Sequence, residues 1–401
     1  MRAEHGLRVL SVYDGFFSGG ARIVHSDVVL GLMEGGQRHR VLSIHGEVYR
    51  EATRQRMEDD ACYGSLTAAG AGVTSLGRVQ GRGRIPAGFS GPELAETARA
   101  MAGADVILSL KEQPLALLNQ AGLPRRPVLV SLHRSDPQNQ GPALDELKAA
   151  IADGTVVACV CCAESTRAAY EAAGIPSDLL HVIPNGVDLL RFRPDPARRL
   201  ALRAELGIPD TAPVIVFAAR YDGMKNVPLF LRAAHAWLRR EPRGHVLMCG
   251  AGMTPVNPGL GADIEAAFGD GGRLTERLRL LGVRRDMEYV YAAADVVALT
   301  SSWGEAAPLC LIEGMMCGAV PVATEVGDST SIVAGHGMIT PPDPDAIALA
   351  WTSAVAARPA FTPALSASRE RFSRTRMIAS YAALIDRVHA GVARRTLPEP
   401  L

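Results

Sequence analysis

The chain has 401 residues, too many for one ordinary hydrophobic core and enough for two. Hydrophobic residues make up 48% and charged residues 21%, a globular composition, and 42 basic residues balance 42 acidic ones, which excludes a general pull on nucleic acid. The opening MRAEHG is polar and short, and no segment runs long enough without charges or helix breakers to span a bilayer. The expected location is therefore cytoplasmic, with peripheral membrane contact left open.

From the N-terminus the pattern alternates strand, loop and helix. LRVLSVY (7–13) reads as a first apolar strand, the glycine loop FFSGGAR follows with Gly19 and Gly20, and a helix runs through 25–33. HRVLSI (39–44), ADVILSL (104–110), PVLVSLH (127–133) and TVVACVC (155–161) are further short strands, apolar on both faces, as in a parallel sheet covered on both sides. The glycine- and arginine-rich stretch 70–92 reads as an irregular loop over a cleft. Of seven cysteines, Cys159 and Cys162 form a C-x-x-C with no second pair; Cys161 lies between them, and Cys62, Cys249, Cys310 and Cys317 are scattered. Buried reduced thiols are the better reading, and zinc the poorer one.

A proline-rich, charged segment at 190–212 reads as a linker with a short helix. The strand pattern then restarts with PVIVFAAR (213–220), HVLMCG (245–250), LRLLGV (278–283), DVVALTS (295–301) and AVPVATE (319–325). The expected organisation is a doubly wound domain at 1–190, a second at 191–375, and a C-terminal helix and tail at 376–401. Ligands of such sheets bind at the carboxyl ends of the strands.

SSWGEAAPLCLIEGMMCGAVPVATEVG (301–327) is the most informative stretch. Pro308 suits the first helical position, Leu309, Ile312 and Met316 give helical periodicity, and Gly318 stops the helix after Cys317. Glu305 then lies in the loop before a helix N-terminus, with Glu313 about one and a half turns in from Pro308. The free N–H groups and dipole there favour an anion such as a diphosphate. Glu305 would repel a phosphate and suits sugar hydroxyls, while Glu313 could accept from a ribose diol. Taken singly, each glutamate reads more simply, Glu305 as a helix cap and Glu313 as a surface residue. Asp343 and Asp345 form a D-x-D that reads as a turn and helix start, not a metal site. Gly250 and Gly252 make a G-x-G with Pro255 where the dinucleotide fingerprint needs its last glycine.

SSWGEAAPLCLIEGMMCG resembles the E-x7-E motif of family 4 glycosyltransferases, retaining enzymes of the GT-B fold. HVIPNGVDLLRFRPD (181–195) resembles that family's interdomain segment, AARYDGMKN (218–226) its R-x4-K phosphate-binding stretch, and FFSGGAR its first glycine loop. VSLHRSD resembles the N-domain strand end that supplies a histidine, and ERFSRTRMIASYAALI (370–385) the closing C-terminal helix. The resemblance implies an α/β fold of GT-B type: two doubly wound Rossmann-like domains facing each other across a cleft, with the C-terminal helix crossing back to the N-terminal domain. The first domain would take the acceptor and the second the nucleotide sugar.

Roles follow by resemblance. Glu305 and His133 would be the catalytic residues, Glu305 positioning donor-sugar hydroxyls and His133 lying near the sugar. Arg220 and Lys225 would neutralise the diphosphate, which Gly19 and Gly20 would approach closely. The backbone of Ala306, Ala307, Pro308 and Leu309 would contact sugar or phosphate, and Glu313 would bind the nucleoside. Lys111 and Glu112, after another N-domain strand, could touch the acceptor. The family usually has glycine and a bulky residue after the first glutamate; Ala306 and Ala307 imply a roomier pocket. The implied reaction moves a hexosyl group from a nucleotide-diphosphate sugar, UDP-sugar favoured, to an acceptor hydroxyl or amine. It retains configuration and uses no metal or cofactor. The acceptor, whether small molecule, glycan or lipid-linked, is not identified. The alternatives are a nucleotide-sugar epimerase or hydrolase of the same fold, and a noncatalytic nucleotide-sugar-binding protein. The E-x7-E and R-x4-K pair weighs against the epimerase, and intact Glu305, Arg220 and Lys225 against the noncatalytic protein.

Overall fold

A computed structural model describes residues 6–17, 19–50, 53–81, 88–269 and 272–396. The chain forms two compact units. The first contains Met1–Arg50, Arg54–Asn185 and Thr375–Leu401, and the second is built on Gly186–Arg374.

The first unit holds an eight-stranded sheet: β1 (Arg8–Gly15), β2 (Arg38–Arg50), β3 (Thr53–Arg56), β4 (Gly72–Gln80), β5 (Val106–Leu110), β6 (Val128–Leu132), β7 (Val156–Cys161) and β8 (Leu180–Val182). Its order is β3-β2-β1-β5-β6-β7-β8, with β4 pairing parallel to β2. The pairs from β2 to β8 along this path are parallel. Every residue of β5 and β6 is buried, so the apolar-on-both-faces pattern marks strands under helices on each side. The stretch 70–92 is not a loop throughout. Residues Gly72–Gln80 are β4, half-exposed and weakly patterned, and pairing with β2 outweighs their poor propensity. Residues 82–87 lie outside the described residues, as do 1–5 and 397–401.

The helix Arg374–Thr396 returns the chain to this unit from Thr375 onward. Its Tyr381 is buried with the hydroxyl 3.5 Å from Ser131 Oγ on β6. Ile378 fills the space above Gly31 so closely that a Cβ there would stand 2.1 Å from its Cδ1.

The second unit holds β9 (Val214–Ala218), β10 (His245–Cys249), β11 (Leu278–Gly282), β12 (Val296–Leu299), β13 (Val320–Thr324) and β14 (Met338–Thr340), in the order β11-β10-β9-β12-β13-β14. All neighbours are parallel. This is the doubly wound order in which the chain starts centrally, moves to one edge, then crosses to the other. Phe217 stacks on Phe230 at 4.3 Å between centroids, and Trp237 meets Trp351 edge-on at 6.3 Å, at the centre of one core layer.

The 190–212 segment is bolted to the second unit and is no slack linker. Its helix Pro196–Glu205 is capped by Asp195, which accepts from the N–H groups of Ala197 and Arg198. Arg203, fully buried, donates to the carbonyls of Pro209, Asp210, Ala212 and Ala293 and to Asp295. Arg199 and Arg358 reach the same carboxylate, so three guanidiniums offset the burial of one aspartate. Among the described residues no helix is long and apolar enough to cross a membrane.

Candidate active site

In the second unit the strand order reverses between β9 and β12, which pair directly. Segments leaving the carboxyl ends of such strands turn to opposite sides and leave a crevice. After β9 come Arg220, a short turn at Gly223–Lys225, and Asn226 in the left-handed region at φ 49°, whose side chain caps the helix Val227–Arg240. After β12 come Thr300 to Pro308. The two segments are laced together: Ser302 N–H donates to Met224 O at 2.9 Å, Asn226 Nδ2 to Ser302 Oγ at 2.8 Å, and Thr300 Oγ1 to Lys225 O at 3.1 Å.

That lacing brings Lys225 Nζ onto Glu305 Oε1 as an ion pair, and Ser301 Oγ donates to the same oxygen at 2.6 Å. Glu305 is 6% exposed. One oxygen of its carboxylate is thus taken by Lys225 and Ser301, and the N-cap of the following helix is Pro308. Arg220 lies 3.2 Å from Asp222 in the same turn. The Glu305 loop is braced from behind. Asp328 N–H donates to Ala306 O at 2.8 Å, Thr324 Oγ1 to Ser301 O at 2.7 Å, and a Cβ on Gly327 would stand 2.2 Å from Glu305 O. Gly327 also has φ 58°, so glycine is required there twice over.

The helix begins at Leu309, and Pro308, at ψ 113°, is its N-cap, one position earlier than its sequence suggests. An extended ψ at 308 cannot continue into the helix, and the first helical position falls to Leu309. Leu309, Pro308 and Ala306 are buried and Ala307 is half-buried. The helix Leu309–Met316 ends as expected, with Gly318 at φ 86° and the N–H groups of Gly318 and Ala319 returning to the carbonyls of Met315 and Gly314. A Cβ on Gly314 would lie 2.6 Å from Val297 Cγ1, so this helix sits directly on β12. Glu313 is 8% exposed, hydrogen-bonded to buried Tyr291, and not the surface residue of the simpler reading. Burial, then the Glu313 charge, holds the Tyr291 phenol far above its ordinary pKa. Burial likewise pushes the Cys310 thiol up to about 12.

In the first unit the order reverses between β1 and β5. Gly19 precedes the helix Gly20–Glu34, whose first residue is Gly20, so only Gly19 of the pair belongs to the loop. Gly19 has φ 174°, and a Cβ there would meet only Phe17 O, at 3.9 Å. Among the described residues of this unit, none demands glycine at 19. Buried Arg22 fastens the loop through Phe17 O at 2.8 Å and an ion pair with Asp60. His133 follows β6, half-buried, its Nε2 shielded and without a hydrogen-bond partner among the described residues. Burial, with Lys111 and His25 adding, lowers its pKa to about 3, so the ring is neutral near pH 7. Lys111 follows β5 in the left-handed region at φ 67°. Glu112, 1% exposed, accepts from Gln140 Nε2 at 2.8 Å, and burial raises its pKa.

Two residues at this sheet edge escaped the sequence reading. His45 Nδ1 donates to Asp14 O at 2.6 Å and lies 3.3 Å from Asp14 Oδ1, while Gln80 Nε2 donates to Asp14 Oδ2 at 3.0 Å. The β2–β4 register shifts on both sides of His45, an irregularity that re-aims a side chain. The signal was available: SVYDG and SIHGE each place a charged or titratable residue just after an apolar run.

The family profile for Glycosyltransferase Family 4 matches residues 19–191, and that for Glycosyl transferases group 1 matches 212–356. The chain belongs to the family 4, group 1 glycosyltransferases. D-inositol 3-phosphate glycosyltransferase of Nocardia farcinica is 33% identical over 177 residues, 43% of this chain and 38% of that protein. Its counterpart in Saccharomonospora viridis is 37% identical over 166 residues, 39% of this chain and 36% of that protein. The chain thus spans well under half the length of these curated relatives. The Anabaena HepE structure with UDP-glucose superposes with a TM-score of 0.76 at 21% identity, over 95% of this chain and 99% of that one. Sucrose-phosphate synthase from Thermosynechococcus elongatus gives 0.68 at 18% identity, over 96% and 100%. At these identities the likeness is one of fold, the GT-B fold of glycosyltransferases.

Within this family fold, the second unit groups a buried carboxylate, two cations and a helix N-terminus beside one reversal of strand order. The first unit groups a neutral histidine and an Asp–His pair beside its own.

Proposed function

We propose that the chain is a retaining, metal-independent glycosyltransferase that moves a hexosyl group from a nucleoside-diphosphate sugar, UDP-sugar favoured, to an acceptor hydroxyl or amine in the cytoplasm. The observation that carries this is the Lys225–Glu305 pair at the β9/β12 reversal, next to the start of the Leu309–Met316 helix. A lone diphosphate site would have no use for a buried carboxylate, and a lone sugar site none for two cations. A nucleotide sugar uses both.

Lys225 and Arg220, with the N–H groups at the helix start, stabilise the negative charge that builds on the departing diphosphate. Glu305 accepts from hydroxyls of the transferred sugar and fixes its anomeric carbon. Glu313, already accepting from Tyr291, accepts also from the ribose. Gly19 leaves open space where a side chain would stand. His133, neutral, hydrogen-bonds without adding charge. In the transfer the bond from the anomeric carbon to the diphosphate oxygen breaks. The acceptor oxygen bonds to that carbon on the same face, and its proton passes to the leaving diphosphate.

Metal independence is supported by the engagement of the D-x-D carboxylates. Asp343 caps the helix Pro344–Ala367 through Ala346 N–H at 2.8 Å, and Asp345 pairs with Arg240 at 2.8 Å.

The test is nucleoside-diphosphate release from a panel of nucleotide sugars, with and without EDTA and with acceptor sugars and polyols. Acceptor-stimulated release from a UDP-sugar that survives EDTA is expected. Release that needs added magnesium or manganese overturns metal independence. Release that no acceptor stimulates favours the hydrolase reading.

A further inference from the structure

Of three tryptophans, Trp237 and Trp351 are core residues at 1% and 0% exposure, whereas Trp303 is 47% exposed. Trp303 sits two residues before Glu305, in a segment that is firmly held. Ser301 O accepts from Thr324, and Ser302 is bonded to both Met224 O and the Asn226 amide. The far edge of the indole lies over the turn that carries Lys225: a Cβ built on Gly223 would stand 3.8 Å from Trp303 Cη2. The ring therefore spans from the Glu305 loop to the Lys225 turn with about half its surface in solvent. Its packing contribution to the unit is small compared with that of the two buried indoles.

A pyranose ring asks for two things at once. Its hydroxyls need hydrogen-bond acceptors, and its C–H face needs a flat apolar surface. Glu305 and Trp303 supply these from one rigid loop. We propose that Trp303 is the platform on which a pyranose ring stacks during glycosyl transfer. That ring belongs either to the donor or to a sugar acceptor. The proposal rests on the reading of Lys225 and Glu305 as diphosphate and sugar groups.

The experiment uses the full chain and its own fluorescence, since the other two indoles are shielded from solvent. Emission and calorimetric affinity are measured with UDP, then with UDP-glucose, UDP-galactose and UDP-N-acetylglucosamine, then with methyl glucosides added to the UDP complex, in wild type, Trp303→Ala and Trp303→Phe. UDP alone should leave the emission nearly unchanged. A blue shift with a UDP-sugar assigns the ring to the donor, and a shift only with free glycoside assigns it to the acceptor. Trp303→Ala should weaken the sugar-bearing ligand by about three- to tenfold, with Trp303→Phe retaining most of the affinity and UDP affinity constant throughout. Sugar-bearing ligands that bind Trp303→Ala as tightly as wild type and move no emission overturn the proposal. A full shift with UDP alone overturns it too, by placing the nucleotide there. A wild type that binds neither UDP nor any UDP-sugar overturns the site reading itself, and this inference with it.

Discussion

Lys225 and Glu305 are ion-paired, with 13% and 8% of their side chains exposed. The cation proposed to meet the diphosphate is thus held by the carboxylate proposed to meet the sugar. A diphosphate must compete with Glu305 for Lys225, so the two groups are coupled in binding as well as in catalysis.

Glu305→Gln should therefore bind free UDP as tightly as wild type or a few-fold tighter, because Lys225 is released from its counter-charge. Calorimetry checks this. Its stability should fall by about 1–3 kcal/mol, since a buried charge-assisted bond becomes a neutral one. A Glu305→Gln variant with sharply weaker UDP binding would mean that the pair acts through structure alone.

Arg220→Ala and Lys225→Ala should each weaken UDP by about tenfold or more, the worth of a charged hydrogen bond. They should differ in stability. Lys225→Ala leaves Glu305 buried without its cation and lowers the melting temperature. Arg220→Ala unpairs Asp222, which is partly exposed, and should lower it less. Melting curves alongside titrations separate the two.

Glu313→Gln should weaken UDP and UDP-sugar alike, by about tenfold, because both carry the ribose. Selective loss of the sugar-bearing ligand would instead place Glu313 beside the transferred sugar.

How far the chain could be read from its sequence depended on burial. The strands β5, β6, β9 and β12 are apolar runs that both faces of a sheet demand, and they stand out. The strands β4, β8 and β14 do not, because β4 is half-exposed and the other two are only three residues long. Pro308 and Gly318 marked the ends of the Leu309–Met316 helix to within one residue, because their backbone limits are local. The Lys225–Glu305 pair was not legible as a contact. It depends on β9 and β12 being neighbours, a relation between residues 80 apart that only the strand order supplies. The Asp14–His45 pair was missed for the same reason, since β1 and β2 meet in register only after folding.

That pair carries a pH signature. Burial disfavours the Asp14 carboxylate, but the hydrogen bond and charge of His45 outweigh it and hold its pKa below the ordinary 3.8. Burial and Arg78 disfavour the His45 imidazolium, but Asp14 outweighs them and raises its pKa above the ordinary 6.5. The His45 contribution to stability is therefore complete below 6.5 and lost as pH rises through its raised pKa; the Asp14 contribution is complete above 3.8 and lost as pH falls through its lowered pKa. Asp14→Asn should cost most stability between those ordinary values, and the gap to wild type should narrow as pH rises through the raised pKa of His45. A gap that stays constant from pH 5 to pH 9 would show that the pair is not charged.

The most direct measurement is the steady-state rate of nucleoside-diphosphate release, from the best UDP-sugar with acceptor and EDTA, in wild type and in Glu305→Gln. A carboxylate that fixes the reacting sugar should be worth about a hundredfold in turnover, the cost of misplacing a reacting centre. The account predicts a loss of that size with UDP affinity retained. Equal rates in the two proteins would contradict it.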